Sequence, residues 1–187
     1  ERLRGVRRPT VLAAKIPSPD ETRRCANANA SLGSSSGEKL RIVGRRHGLT
    51  SNTLIQGAWA LLLSRLSGDG DVIFGTTVSG RPPEIPGIEQ MAGLFINTLP
   101  TRVRTVSPGG ISLLNWLKGI QDQGLAQQAH AHCSAGQIHQ WSGIPAAFRL
   151  FDSLLVFENY PTELSEAEMA AFSGDRFEIR ESHTLGA

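Results

Sequence analysis

Imidazole titrates near neutral pH and is the usual general base, so the five histidines are the first candidates for chemistry. They are His47, His130, His132, His139 and His183. His130 and His132 sit with Cys133 in AHAHCS. Two residues apart, they would share a face on a strand and diverge around a helix. A metal centre needs further ligands, and no CxxC, HxxxH or HExxH pattern accompanies them. They read as ordinary surface or loop histidines, with no metal site. His47 closes a helical stretch, where a cation is favourable without any catalytic task. His139 and His183 are isolated. There is no His-His pair followed by Asp, and no GxSxG elbow. Ser34, Ser35 and Ser36 lie in a Gly/Ser loop without a partner base, and GTTVSG fits neither nucleotide-binding glycine pattern. Cys25 and Cys133 match no nucleophile signature and read as packing residues. On residue chemistry alone the chain is scaffolding, with no catalytic group.

The composition sets what that scaffold can be. The chain has 187 residues, 40% hydrophobic and 19% charged, which suits one globular domain or one lobe of something larger. Disorder, collagen-like repeats and a disulfide framework are excluded. Two cysteines favour a reducing compartment, hence the cytoplasm. A net charge of +2 argues for neither nucleic acid nor an anionic membrane. Its distribution is uneven: residues 1–24 hold seven basic and three acidic side chains, and residues 151–187 hold eight acidic and two basic. Both read as solvated ends. No apolar run reaches the roughly 18–20 residues that a bilayer needs. The start ERLRGVRRPT has no apolar stretch behind it, so it is not a signal peptide. It also lacks Met, and a piece of a longer chain is expected.

The elements follow from punctuation and period. Residues 1–37, with Pro9, Pro17 and Pro19, read as a connecting segment over a surface, with at most an edge strand near Cys25 to Leu32. Glu38 to His47 has helical spacing and stops at Gly48. Thr50-Ser51-Asn52-Thr53 supplies N-cap chemistry for LIQGAWALLLSRL, a helix apolar on most sides and so expected to be buried. VIFGTTV reads as a strand covered on both faces. LFINTLPTRVRTV reads as a second strand, with Pro100 marking an edge, a bulge or a break. Ile111 to about Ala131 reads as a helix, followed by a turn-rich stretch. Ser153 to Glu158 is a buried strand, Glu163 to Phe172 a short acidic helix and Arg176 to Arg180 a last strand. The fold class is α/β, a mixed β-sheet covered by helices.

Three strings in this order resemble one family. NTLIQGAWALLLSRLSGDGDVIFGTTVSGRPPEIPGIEQMAGLFINTLPTRV is similar to the second half of a nonribosomal peptide synthetase condensation domain, and within it GLFINTLPTR resembles that family's (I/V)GxFVNTLxxR motif. QIHQWSG and LFDSLLVFENYP resemble the family's next landmarks. The resemblance is strong over residues 38–161. It implies residues 1–37 as an inter-lobe connecting segment and 38–187 as the C-terminal lobe, incomplete at its C-terminus, of a chloramphenicol acetyltransferase-like fold. Two such lobes form a V around a tunnel.

The resemblance implies amide formation between acyl groups held as thioesters on peptidyl and aminoacyl carrier proteins, as in antibiotic biosynthesis. The phosphopantetheine arms of the carriers are substrates, and no cofactor is bound directly. The family's catalytic HHxxxDG is absent from this chain. No catalytic residue transfers, and the chain alone is expected to be inactive without the missing N-terminal lobe. As tunnel or inter-lobe residues the resemblance implies Gly80, Arg81, Gly93, Asn97 and Thr98. Arg81 reads alternatively as an ion-pair anchor and Asn97 as a group that satisfies backbone at a break. Asn159-Tyr160-Pro161 reads as a strand-ending turn. The arginines of residues 1–24, with Arg102 or Arg104, would meet acidic carrier surfaces. Self-association through apolar surface around Leu94, Phe95 and Ile96 is expected. The competing reading is a natural half-domain that docks a carrier or module without catalysis.

Overall fold

Helix ends are set by their caps. In the computed structural model, which describes residues 3–6, 9–11, 27–81, 84–105, 110–145 and 147–158, helix α1 spans Ser34–His47 and ends at Gly48. Gly48 adopts the left-handed conformation, and the Gly44 carbonyl accepts from Leu49 N–H at 2.8 Å. Helix α2, Ser51–Ser67, opens on Thr50, whose Oγ1 accepts from Thr53 N–H at 3.1 Å. Strand β1 is Asp71–Ser79 and strand β2 is Ile96–Arg104. Helices α3, Leu113–Gln128, and α4, Ala135–Ser142, follow, and strand β3 is Leu154–Leu155.

The three strands form one sheet in the order β2-β1-β3. β1 and β2 pair antiparallel from Asp71 opposite Arg104 to Ser79 opposite Ile96, without a bulge. β3 runs parallel to β1, with Leu154 and Leu155 beside Gly75 and Thr76. Pro100 lies opposite Gly75 on β2, an outer strand among the described residues. An edge tolerates its missing N–H, so of the three options read for Pro100 the edge is realised.

One sheet face carries the core. Val72, Phe74 and Val103 are buried under Ala60 and Leu63 of α2 and Trp116, Leu117 and Ile120 of α3. Each large side chain so buried contributes about 1.5–3 kcal/mol of transfer free energy. Trp116 keeps its indole N–H satisfied by donating to the Arg104 carbonyl at 2.7 Å. A polar pair is also enclosed here: Thr76 and Thr101 share a hydroxyl hydrogen bond at 2.8 Å. On the opposite face the Phe151 ring approaches so near Gly75 that a Cβ would lie 2.5 Å from it. The connecting segment reaches this sheet too, because Thr10 is buried and its Oγ1 accepts from Ile73 N–H at 2.8 Å.

Five sequence expectations need correction. α1 starts four residues earlier than Glu38, and residues 27–33 hold no strand; Cys25 itself lies outside the described residues. α2 is not buried all round: Ile55, Leu62 and Leu66 are exposed, because β1, α3 and α1 leave part of its surface uncovered. α3 is shorter at both ends than Ile111 to Ala131, since the Ser112 side chain fixes its start by accepting from Asn115 N–H. The turn-rich stretch contains α4, whose start is a capping box between Ser134 and Gln137. β3 is two residues long and Leu154 and Val156 are exposed, so Ser153 to Glu158 is not a buried strand. The expected elements at Glu163 to Phe172 and Arg176 to Arg180, and Asn159-Tyr160-Pro161, lie outside the described residues.

Candidate functional site

β1 changes character along its length. Val72 to Thr76 are buried, whereas Thr77 and Val78 are half-buried and Ser79 is exposed. The helices cover the first part and leave the C-terminal end open. The chain then leaves the sheet at Gly80, whose N–H donates to the Phe95 carbonyl at 2.8 Å. A Cβ on Gly80 would stand far inside contact distance of that oxygen, so only glycine permits the approach.

Arg81 organises the loop that returns to β2. Its guanidinium donates to the Ile88 carbonyl and, at 3.0 Å, to the Met91 carbonyl. The same group lies 4.2 Å from the centre of the Phe95 ring. Among the described residues Arg81 thus holds backbone carbonyls and a ring, in place of the ion pair that was its alternative reading. Phe95 is half-buried as a result, while its neighbours Leu94 and Ile96 are exposed at 90% and 55%.

A cleft of about 700 Å³ opens at this end of the sheet. Arg81, Gly93 and Thr98 line it, with Leu94, Ile96, Val156 and Phe157 forming an apolar rim. Its volume is in the range of small-molecule sites. Gly80 and Asn97 are not part of the lining. Strand alternation sends Asn97 to the other face, opposite Val78. Its Nδ2 donates to the Ala131 carbonyl at 2.6 Å and the Cys133 carbonyl at 2.8 Å, and its Oδ1 accepts from Thr98 N–H at 2.8 Å. Asn97 satisfies backbone, one of the two roles expected of it, but the backbone is that of a distant turn.

That turn carries His130 and His132, both exposed and on neither a helix nor a strand. His130 borders a second cavity of about 380 Å³ on the far side of β2, with the buried Cys133 and the exposed Trp141. His139 Nε2 lies 3.0 Å from the Phe148 carbonyl and ties α4 to the following loop. Among the described residues no group of three or more His, Cys, Asp or Glu side chains gathers as a metal cluster.

The opposite end of the sheet is charged. Arg102 meets Asp71 through two hydrogen bonds, Nε to Oδ1 at 2.8 Å and Nη2 to Oδ2 at 2.6 Å. The hydrogen bond from Arg102 holds the Asp71 carboxyl below its ordinary range, against the opposing effect of burial, and Arg104 adds to it. Arg102 also donates to the Arg4 carbonyl at 2.8 Å. This guanidinium is thus engaged by the fold, whereas the Arg104 side chain is 76% exposed. The roles of Phe95 and Phe157 at the cleft had no sequence signal beyond their apolar character.

These features have counterparts in known proteins. A family model described as the condensation domain matches residues 1–185. One of the chains of the linear gramicidin synthase of Brevibacillus parabrevis is 48% identical over 134 residues, 72% of this chain. Chondramide synthase cmdD of Chondromyces crocatus is 38% identical over 170 residues, 91% of this chain. The chain spans only 3% and 4% of the lengths of these two relatives. The crystal structure of holo T3CT superposes with a TM-score of 0.55 at 28% identity, covering 63% of this chain and 27% of that one. The first condensation domain of the calcium-dependent antibiotic synthetase, at 19% identity and a TM-score of 0.50, shares the fold over 64% of this chain and 26% of its own. The sheet and its helices are those of a condensation domain's chloramphenicol acetyltransferase-like architecture, and the chain belongs to the condensation-domain family.

Proposed function

We propose that this chain is the C-terminal lobe of a condensation domain and forms one wall of a tunnel in which two carrier-bound acyl groups are joined as an amide. Condensation domains of nonribosomal peptide synthetases work on carrier-protein-bound substrates, and membership of that family supports the reading. The observation that carries it is the one-sided cleft at the end of β1. Arg81, Gly93 and Thr98 line it, and Leu94 at its rim is 90% exposed. An apolar rim of this kind fits a surface that a second lobe covers.

In the reaction the acceptor amine attacks the donor thioester carbonyl, a C–N bond forms and the C–S bond breaks. The amine's proton is lost and the departing thiolate gains one. A positioned base contributes roughly 10²–10⁴-fold to such a step. None of the five histidines here carries HHxxxDG, so the base belongs to the facing lobe. This lobe's part is placement. Arg81 and Gly80 fix the loop, Asn97 fixes the neighbouring turn, and Gly93 and Thr98 face the phosphopantetheine arms. No helix among the described residues is long and apolar enough to cross a membrane, and the proposed setting is the cytoplasm.

The test combines this chain with a lobe that bears HHxxxDG and with donor- and acceptor-loaded carriers. Mass spectrometry should detect amide product from the pair of lobes and none above background from this chain alone. No product from the joined lobes, or product at catalytic rates from this chain alone, overturns the proposal.

A further inference from the structure

A third cavity, of about 370 Å³, lies between the start of α2, α3 and the end of β1. It shares Thr77, Val78, Ser79 and Phe157 with the cleft, so both spaces border the end of β1. Its chemistry differs from that of the rim. Asn52, Gln56, Gln121 and Gln128 of the two helices line it with the end of β1, and no Asp, Glu, Lys, Arg or His does. Gln56 is 7% exposed; its Nε2 donates to Asn52 Oδ1 at 3.1 Å. Among the described residues its Oε1 has no protein partner, and neither has the Nδ2 of Asn52, whose Oδ1 accepts from Gln56.

We propose that this cavity is a subsite for an uncharged amide group of a ligand that enters through the cleft, which rests on the cleft being a substrate passage. An amide both donates and accepts, which matches the Gln56 Oε1 acceptor and the Asn52 Nδ2 donor. A carboxylate of the same shape would meet no cation. The N-terminus of α2 faces the cavity and favours an anion by only ~2- to 5-fold. Of the N–H groups at this end, that of Thr53 is capped by Thr50 and that of Thr50 donates to Gln121 Oε1 at 2.9 Å. Loss of hydration disfavours an unpaired carboxylate by orders of magnitude. The subsite therefore selects neutral over acidic groups. The same chemistry has two sources, the amides of a pantetheine arm and the carboxamide side chain of an acyl residue.

Gly124 provides the test. It sits inside α3 and lines the cavity, and a Cβ there meets nothing within 4 Å. Gly124→Leu fills the space and removes a helix-weakening residue, so the thermal midpoint should hold or rise. The 187-residue chain, labelled with ¹⁵N, is titrated at millimolar concentration with three probes: pantetheine, N-acetylglutamine methylamide and N-acetylglutamate methylamide. At least one neutral probe should shift the side-chain amide signals of Gln56 and Asn52, and which one does so identifies the source. The glutamate probe should bind at least tenfold more weakly than its glutamine counterpart. Gly124→Leu should abolish the shifts, and Gln56→Leu should weaken neutral binding about fivefold, the value of one hydrogen bond. Equal binding of the glutamate and glutamine probes, unchanged binding by Gly124→Leu, or no binding of either neutral probe overturns the proposal. The readout needs no catalysis, so a failure here is distinct from a failure of the condensation assay.

Discussion

Asn97 separates a residue that touches substrate from one that holds the scaffold. Its Nδ2 serves two carbonyls, Ala131 at 2.6 Å and Cys133 at 2.8 Å, and both of those residues are buried. Each bond is worth about 1 kcal/mol net, and a buried carbonyl left without a donor costs about 1–3 kcal/mol. Truncation in Asn97→Ala should therefore cost about 2–4 kcal/mol. For a domain of this size that lowers the thermal midpoint by roughly 5–15 °C. Urea unfolding followed by circular dichroism should show a lower midpoint with an unchanged slope, the mark of lost stability in an otherwise similar fold. Asn97→Asp goes further. It keeps the shape but turns an oxygen toward two carbonyl oxygens, so the new carboxyl is disfavoured in its charged form. Its pKa in the folded state lies above the unfolded value, and its protonated form can still donate. Stability of this variant should consequently be greatest at low pH and fall as pH rises through the raised pKa. If Asn97→Ala stays within about 0.5 kcal/mol of the parent, a shift no larger than an ordinary surface substitution gives, the staple is not what this residue provides.

Two glycines should respond in opposite directions. Gly80→Ala forces a methyl against the Phe95 carbonyl, where there is no room for one, and should cost about 1–3 kcal/mol as an overpacked site. Gly119→Ala, inside α3 with nothing within 4 Å of its Cβ position, should add about 1 kcal/mol; denaturant midpoints check both, and a neutral Gly80→Ala would show that the close approach constrains nothing. Asp71 has a carboxyl held below its ordinary value of 3.8 by Arg102, so its contribution is complete above that value and lost as pH falls through the lower folded one. The stability gap between the parent and Asp71→Asn should close in acid, and a gap unchanged from neutral pH down into strong acid would contradict the pairing. The isolated chain should self-associate at micromolar concentration through the rim at Leu94, Ile96 and Val156. Leu94→Asp should weaken the association, and a parent that sediments as monomer throughout would refute it.

Local rules made much of the fold legible. Thr50 before an apolar helix, Gly48 and Gly68 after helices, and the β-branched run in β1 all act within a few residues, and each element formed where its signal stood. What was not legible depends on distant partners. α4 is the exception: it spans only two turns, so its period could not stand out, although the Ser134-x-x-Gln137 capping box was a local signal for its start. The exposure of α2 and the shortness of β3 reflect which surfaces the described chain covers. The motif residues divided for the same reason. Arg81, Gly93 and Thr98 reached the cleft and Asn97 did not, while Arg81 and Asn97 are tied to carbonyls seven to thirty-six positions away in sequence. Such pairings leave no trace in spacing.

The division has a physical logic. A wall of the proposed tunnel needs side chains that stay in place before substrate arrives, because a displacement of about 1 Å at a reacting pair costs on the order of 10²-fold in rate. Arg81 and Asn97 are long or polar enough to bridge backbone segments, and both donated bonds of each go to carbonyls rather than to another side chain. Carbonyls move only if the chain moves, so these bridges fix the loop before β2 and the turn after α3 against the sheet. The cleft surface then combines the fixed Arg81 with short groups, among them Gly93 and Thr98, and apolar contacts along the rim. A family motif such as GLFINTLPTR thus mixes two demands within ten residues. Loss of a bridging residue should disturb every substrate equally through the fold, whereas a change at Thr98 should alter selectivity and leave the unfolding midpoint where it was.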